Sequence, residues 1–566
     1  YQFTVLYQHL IQTGKNREDA KLFANRLLGR LLFIWFLRKK GVIANEDEYF
    51  PEEIGDSTEY YNSILKPLFF QTLNTPYYAR KSGDLNTPYL NGGLFDAHDN
   101  DWPHEKTIFP RSYFSDLYAH LDKYNFTTDE SSPDYEQVAI DPEMLGRVFE
   151  SLLAEQFTDS GEQVRKAKGT FYTPREIVSY MCKESLRQYL YTQLGDEKYY
   201  AGVNKLIDSP DYEWETAHSN AKRDLWPFEN MTKFIPKVIG ILDSLTVLDP
   251  ACGSGAFPMG MLQLLTKVYE RLDSRFDSYE TKLSIIQNTI FGVDIEPMAV
   301  EISRLRAWLA IIVDGEGQVD PLPNLDFKFV CADSLRPLEQ KVGLLDNPRL
   351  HEQMAEVRTK FFNARKPESK DEWRKKYYKL TSSTNMFSSG RELQLASFDP
   401  FKNQCSAEFF DSEYMFGIDK FDVVIGNPPY VHLEKMKDVA KQKYMPLNFK
   451  TYEARGDLYS LFFERYIKAL KDDGVLSFIT SNKWMRAGYG ESLRNFFIDN
   501  TQPLLLVDLG GGIFESATVD TDILILKKTK YIAPTRAISA SRDFNAQDMV
   551  TTIRQKAFNI KFSRSE

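Results

Sequence analysis

Two widely separated loops constrain the fold of this chain more than any other feature. Residues 245–257 read LTVLDPACGSGAF, an apolar segment that predicts a buried strand, followed by a glycine-rich turn and a helix start. Gly253 and Gly255 lack a Cβ, so the backbone can approach a ligand closely there. Residues 421–430 read FDVVIGNPPY, a second apolar strand that ends in a polar loop stiffened by two prolines. We expect these two loops to carry the chemistry.

Strands and helices alternate around both loops. Predicted strands lie at 245–249, 289–295, 327–332, 421–426, 474–480, 504–509 and 521–527, and helices near 256–273 and 297–313 join the first three. This alternation predicts an α/β fold with a doubly wound, mostly parallel sheet. Ligands of such sheets bind at the carboxyl ends of the strands. The loops at 249–255, 294–296, 333 and 427–430 all follow strands, so we expect them to share one edge.

The region before this sheet is predicted to be helical. Residues 1–150 are interpreted as a support or spacer domain, with a helix over 19–40 and another over 141–153. In the helix over 19–40, helical spacing places four apolar residues on one face: Leu27, Leu31, Ile34 and Trp35. A helix over 175–191 begins the next domain, 151–530, with Thr173 as the predicted N-cap and Pro174 at the first helical position. Such a helix start also suits a carboxylate ligand.

Charge and composition limit the classes of partner. The 566 residues carry a formal net charge of −10, which argues against a simple polyanion binder but allows a local basic face. An insertion over 336–420 holds a basic and aromatic run at 358–379. Either this run is a solvated helix face, or it is an arm that contacts phosphates with aromatic support. Residues 531–566 are interpreted as a linker or the start of a truncated target-recognition region.

Cysteine usage and hydropathy suggest the compartment. The four cysteines are scattered without a CxxC pair or a histidine cluster, which favours a reducing cytosol and argues against a structural metal. The most apolar helix, at 27–37, is too short to span a bilayer. We therefore expect a cytoplasmic protein without a bound metal.

Three loops offer acceptors for the parts of one nucleoside. Pro258 stands where a dinucleotide fingerprint needs its third glycine, so a pyrophosphate site is disfavoured. Asp294 ends the second strand, where a carboxylate can accept both ribose hydroxyls. Asp333 follows the third strand and could accept from an adenine amino group. Each acid could instead be a helix N-cap, and only the set favours a nucleoside ligand.

The loop after the fourth strand suits an exocyclic amino group. The Asn427 side-chain oxygen and the Pro428 carbonyl can only accept, and two acceptors converging on an NH2 group direct its lone pair toward an electrophile. Tyr430 offers a flat face for a planar ring. The loop contains no cysteine, so a covalent mechanism at cytosine C5 lacks its nucleophile.

The order GTFYTP, DPACGSGAF, GVDIEP, CADSL, NPPY resembles that of gamma-class adenine-N6 DNA methyltransferases. Residues 145–530 carry this resemblance, and residues 1–150 resemble the helical region that precedes the methylase in single-chain type IIG restriction–modification enzymes. It implies a class I Rossmann-like sheet that uses S-adenosyl-L-methionine, and double-stranded DNA with a flipped-out base as partner. The implied cofactor contacts are Thr170, Tyr172, Thr173, Asp249, Ala251, Cys252, Gly253, Gly255, Asp294, Ile295, Asp333, Ser334 and Asn427. The implied catalytic residues are Asn427, Pro428, Tyr430 and Phe514.

The sequence departs from that family in two ways. It has no convincing PD…(D/E)xK nuclease motif, and it ends soon after the last predicted strand, where the family places a target-recognition domain. We expect both parts to be separate partners or missing from this sequence. A protein glutamine methyltransferase and a DNA-binding scaffold with an inactive cofactor site remain the alternatives, and a restriction–modification or phage-defence methylase is favoured.

Overall fold

A computed structural model gives the architecture of the chain. The residues it describes are 1–39, 41–76, 79–80, 84, 86–87, 89–90, 94–95, 97, 99–123, 173–211, 213–214, 231–272, 276–312, 323–339, 348–364, 366–382, 390–401, 406–436, 438–511, 519–539, 553 and 556–562. The predicted helix over 141–153 lies outside these residues.

The chain divides into two compact units, each built from three stretches. One unit comprises Tyr1–Gln156, Glu301–Phe327 and Leu345–Phe387, and the other comprises Phe157–Val300, Lys328–Leu344 and Ser388–Glu566. All the described regular elements of the first unit are helices. Its N-terminal stretch contains the helices Gln2–Gln12, Arg17–Lys39, Glu46–Tyr49, Ser57–Tyr60 and Tyr113–Leu121, the π-helical turns Tyr61–Leu65 and Leu68–Leu73, and the 3-10 turn Asp99–Asp101.

The helix Arg17–Lys39 is buried around its whole circumference from residue 23 to residue 37. The sequence predicts one apolar face for this helix, from the helical spacing of its apolar residues, and the structure buries the other faces as well. In the structure both arginines are buried and pair with Asp101, at 2.8 Å and 3.0 Å. A buried arginine is tolerated only when it is paired and hydrogen-bonded, and this shared carboxylate supplies the partner.

The basic and aromatic run forms two helices of the first unit, Pro348–Phe362 and Pro367–Ser382. Phe361 and Tyr377 are buried, with ring centroids 5.8 Å and 5.9 Å from that of Phe327. These rings are core residues and are not available for stacking. On the outer face, Lys376 pairs with Glu356 at 2.6 Å. The solvated face of this helical pair therefore carries interleaved charges of both signs.

The second unit contains a nine-stranded sheet of order β3-β2-β1-β4-β5-β7-β6-β8-β9. The strands are β1 Val247–Asp249, β2 Ile290–Asp294, β3 Phe329–Cys331, β4 Phe421–Gly426, β5 Leu470–Ser481, β6 Gln502–Gly510, β7 Thr521–Lys527, β8 Thr535–Ser539 and β9 Phe558–Ile560. The first five are mutually parallel, and β7 runs antiparallel between β5 and β6. The predicted α/β fold and all seven predicted strands are confirmed.

Two strands were not predicted. β8 pairs with β6 in parallel and β9 pairs with β8 in the antiparallel sense, so parts of residues 531–566 continue the sheet. The α-helices of the second unit are Arg175–Leu194, Tyr200–Asp208, Met231–Asp243, Ala256–Leu272, Ser278–Asn288, Gly390–Ser397, Ser412–Phe416, Leu433–Met436, Asp438–Lys443, Leu458–Ala469 and Glu491–Asn500. The helix Pro297–Ile312 begins in this unit and continues into the first. None of the described helices is long and apolar enough to cross a membrane.

Candidate active site

The turn after β1 has the open backbone that a ligand cradle needs. Gly253 and Gly255 have φ values of +53° and +86°, a region that side chains other than glycine rarely adopt. A Cβ built on Gly253 would meet no atom within 4 Å, so space lies directly in front of the backbone. The Cys252 amide donates to the Val293 carbonyl at 2.9 Å, which fixes the turn against β2.

Asp249 closes β1 as a buried carboxyl. One oxygen accepts from the Ala251 amide at 3.1 Å, and the other has no hydrogen-bond partner among the described residues. Burial, and secondarily the charge of Asp294, holds the pKa of Asp249 well above its ordinary value. A Cβ on Gly426, the last residue of β4, would lie 2.7 Å from this carboxyl. Glycine at that position therefore lets the end of β4 reach the end of β1.

Asp294 joins the first two loops. Its two oxygens accept from the amides of Gly253 and Glu296, at 2.8 Å and 2.9 Å. Each carboxylate oxygen can accept a second hydrogen bond, so the group retains capacity for two hydroxyls. Burial raises the pKa of Asp294 to about 6, although both amide hydrogen bonds oppose the rise. The neighbouring Ile295 is 53% exposed, an apolar surface at the edge of the site.

Asp333 follows β3 and is buried. The Ala332 amide donates to the Asp294 carbonyl at 2.9 Å, which brings this loop beside the preceding one. One Asp333 oxygen accepts from the Leu335 amide at 3.3 Å, and the other lies 3.8 Å from the Lys443 ammonium. Burial raises the pKa of Asp333, and Lys443 lowers it in part. The Ser334 side chain next to it is buried.

Asn427 is held by a residue far away in the sequence. Its amide nitrogen donates to the Thr173 hydroxyl oxygen at 3.1 Å, which leaves the side-chain oxygen on the opposite side of the amide. The predicted N-cap role of Thr173 is wrong, because Pro174 is the N-cap and no side chain caps the helix Arg175–Leu194. Thr173 is 4% exposed, and its hydroxyl accepts from the Asn427 side-chain amide instead of capping the helix.

The aromatic residue of the same loop is fixed at both ends. The Tyr430 hydroxyl donates to the Ile479 carbonyl at 3.1 Å. Its ring meets that of Tyr459 edge to face, with centroids 6.2 Å apart and an interplanar angle of 86°. The ring is only partly buried, and Pro428 beside it is buried. A fixed, partly exposed ring suits the stacking role predicted for this position.

The predicted residues in the described part of the chain end or follow β1, β2, β3 or β4, apart from Thr173, which contacts the loop after β4. They therefore lie at one edge of the sheet. Three others, Thr170, Tyr172 and Phe514, lie outside the described residues. A group of histidines, cysteines and acids able to hold a metal is absent from the described part of the chain.

The polar groups and the open space in these loops are compatible with the predicted cofactor. The neighbouring loops after β1 and β2 contain groups that a ligand could contact. These are the unpartnered Asp249 oxygen, the open space next to Gly253 and the Asp294 carboxylate. Asp249, Asp294 and Asp333 would hold the cofactor, which supplies an electrophilic methyl group. Asn427 and Pro428 would orient the accepting amino group.

Sequence reasoning missed two sets of contacts. The Tyr444 hydroxyl donates to the Asp333 oxygen that also faces Lys443, at 3.5 Å. The buried Asp457 pairs with His432 at 2.8 Å and accepts from the Tyr489 hydroxyl at 2.9 Å. No local motif marks Lys443 or Tyr444. Asp457 lies in the segment GDLY, residues 456–459, which also resembles the methyltransferase family.

Comparison with known proteins adds an independent finding. Residues 288–514 match the Eco57I restriction-modification methylase family. The predicted resemblance to restriction–modification methylases is confirmed. The match begins just before β2 and includes the Asn427 loop, so it covers the Asp294, Asp333 and Asn427 sites together.

Individual relatives extend the likeness over most of the chain. A putative type II restriction enzyme and methyltransferase of Methanocaldococcus jannaschii is 28% identical over 90% of this chain and 49% of its own length. The adenine-specific methyltransferase BrxX of Escherichia coli is 22% identical over 68% of this chain and 32% of its own. The chain thus spans half or less of the length of these relatives. Among solved structures, the type IIL restriction-modification enzyme MmeI, in complex with DNA, has a similar fold, with a TM-score of 0.55 and 15% identity over 99% of this chain and 59% of that one.

Proposed function

We propose that this chain is a site-specific DNA methyltransferase that transfers a methyl group from S-adenosyl-L-methionine to adenine N6. The proposal rests on one observation, the approach of the β4 end to the β1 end at Gly426 and Asp249. This approach sets the acceptor-rich Asn427 loop directly beside the glycine-rich turn. An amino group held by the first loop would then face a methyl group held by the second.

The residues of the loop account for the activation of the amino group. The Asn427 oxygen and the Pro428 carbonyl accept its two hydrogens, which draws the nitrogen lone pair out of conjugation with the ring. The bound cofactor would supply the electrophilic methyl group to this nitrogen, and the amino group would lose one proton to solvent. Binding both reactants in this geometry converts a bimolecular reaction into an effectively unimolecular one, which lowers its entropic cost.

The substrate follows from the relatives and from the aromatic ring. The family match and BrxX, named as adenine-specific, favour adenine over a protein amide. In a duplex the adenine amino group is paired and stacked, so the base has to rotate out of the helix to reach the loop. Tyr430 would then stack on the extruded base. The relatives favour a role in restriction–modification or phage defence.

Transfer of tritium from labelled cofactor tests the proposal. The chain is incubated with duplex DNA or with a glutamine-containing peptide, and the DNA product is digested to nucleosides. We expect label in N6-methyladenine. Label in the peptide would favour the glutamine methyltransferase, and cofactor binding without transfer to either would favour an inactive scaffold.

A further inference from the structure

The chain makes an excursion between the Asn427 loop and the helix Leu458–Ala469. We call residues 433–456 the clamp excursion. At its base, the Leu433 amide donates to the Gly456 carbonyl at 2.9 Å, and the Leu458 amide donates to the Val431 carbonyl at 2.8 Å. The excursion therefore leaves and returns at one place, next to Tyr430.

Two further contacts hold the clamp excursion in position. Tyr444 is hydrogen-bonded to Asp333, as described above. The Thr451 amide and hydroxyl both contact one oxygen of the buried Glu464, at 2.8 Å and 3.1 Å. The excursion is thus attached at its base, beside the Asp333 loop and against the helix Leu458–Ala469. A segment attached at three places presents its outward side chains in a defined arrangement.

Those outward side chains are mainly basic. The clamp excursion has six lysine and arginine residues and three acids, in a chain whose net charge is −10. Four of its cations are exposed and make no ion pair within the part of the chain that the structure describes: Lys435, Lys441, Lys450 and Arg455. The helical pair 348–382 also has exposed cations without a described ion pair, although Lys376 there is paired with Glu356. The clamp excursion differs from it in lying next to the Asn427 loop. Exposed cations without a carboxylate partner are those that release counterions when they meet phosphates.

We propose that the clamp excursion is a surface for the DNA phosphate backbone, which it contacts beside the extruded nucleotide. The inference rests on the proposed function and assigns its DNA partner to a particular segment. If a nucleotide is rotated into the Asn427 loop, the phosphates on either side of it remain outside the loop, close to its entrance. The excursion is anchored there by both of its ends, so its cations face the strand that carries the target base.

The experiment compares two triple variants that remove the same charge. The first is Lys441→Gln, Lys450→Gln and Arg455→Gln in the clamp excursion. The matched control is Lys360→Gln, Lys366→Gln and Lys375→Gln on the helical pair, three exposed cations without a described ion pair. Affinity for a fluorescent duplex of arbitrary sequence is measured by anisotropy between about 50 and about 200 mM salt.

We expect the slope of log affinity against log salt to flatten by roughly 0.9 for each phosphate that the variant no longer neutralises, so by about 2–3 in the excursion variant. The control variant should retain the wild-type slope. An unchanged slope in the excursion variant would overturn the inference. Equal flattening in both variants would also overturn it, because net charge alone would then explain the effect.

Methyl transfer in the same wild-type preparation separates this inference from the proposed function. A flattened slope in the excursion variant, with no transfer to DNA by the wild type, would support the surface and overturn the methyltransferase. Transfer by the wild type with an unchanged slope in that variant would do the reverse.

Discussion

The loops after β1, β2 and β3 hold their polar groups differently from the loop after β4. In the first three, carboxylates accept from nearby backbone amides, as Asp294 does from Gly253 and Glu296. In the fourth, the Asn427 amide is held by the hydroxyl of Thr173, which lies 254 residues away in the sequence. The three loops assigned to the cofactor are thus fixed mainly by backbone amides at the sheet edge. The loop after β4, assigned to the target base, depends on the side chain of Thr173, just before a distant helix. Variants in these two regions should therefore fail in different ways.

The largest effect is expected from Asn427→Ala, which removes an acceptor that the amino group needs at the transition state. By analogy with the loss of one transition-state hydrogen bond, single-turnover transfer should fall by roughly 10²–10³-fold. Cofactor affinity, measured by calorimetry, should change by less than about twofold if the amide acts only on the target. Methyl transfer at the wild-type rate would mean that Asn427 is not an acceptor for the target amino group.

Asp294→Ala changes the loop after β2 and should weaken cofactor binding. Losing two hydrogen bonds to a charged group is expected to weaken S-adenosyl-L-methionine binding by about 2–3 kcal/mol, or roughly 30- to 150-fold. Because Asp294 also holds the Gly253 amide, Asp294→Asn serves as the control that retains shape and removes charge. Wild-type affinity in both variants would contradict the ribose assignment.

The pKa of Asp294, raised to about 6 by burial, predicts a dependence of cofactor affinity on pH. The ionised carboxylate accepts from two hydroxyls, so affinity is complete above this pKa and is lost as the pH falls through it. Between about pH 7 and about pH 5 the dissociation constant should rise by roughly tenfold. Calorimetry across this range tests the expectation, and Asp294→Asn should give a flatter profile.

The smallest effect is expected from Thr173→Val, which retains the shape of the side chain and removes its hydroxyl. Transfer should slow by about 3- to 10-fold, because a net hydrogen bond contributes about 0.5–1.5 kcal/mol. Thr173→Ser should restore the rate. If Thr173 contacts the cofactor directly, as the sequence predicts, Thr173→Val would instead weaken cofactor binding in calorimetry.

The sheet could be predicted because its strands are short apolar runs, each bounded by a marked loop. Alternation placed the loops after β1 to β4 at one edge, and the positive φ of Gly253 agrees with the close backbone approach expected there. The short strand β9 lacks a buried apolar run, since Phe558 is exposed, so the end of the sheet gave little periodic signal.

Other features depend on contacts between distant residues, which local patterns do not contain. Arg26 and Arg30 are compatible with burial because both pair with Asp101, which is about 70 residues away in the sequence. Thr173 has the sequence context of an N-cap, and its actual partner is set by packing across the sheet edge. Lys443 and Tyr444 reach Asp333 because the clamp excursion folds back on the core, and their sequence context predicts no such approach.

The division of the helical unit into three stretches has a consequence for biosynthesis. Its first stretch ends at Gln156, but its third begins only at Leu345. At synthesis rates of about 5–20 residues per second, the third stretch follows the first by roughly ten to forty seconds. During that interval the early helices are not yet joined by the helical pair 348–382, which belongs to the same compact unit. The compact helical unit can therefore be completed only after its third stretch, which ends at Phe387, has been synthesised.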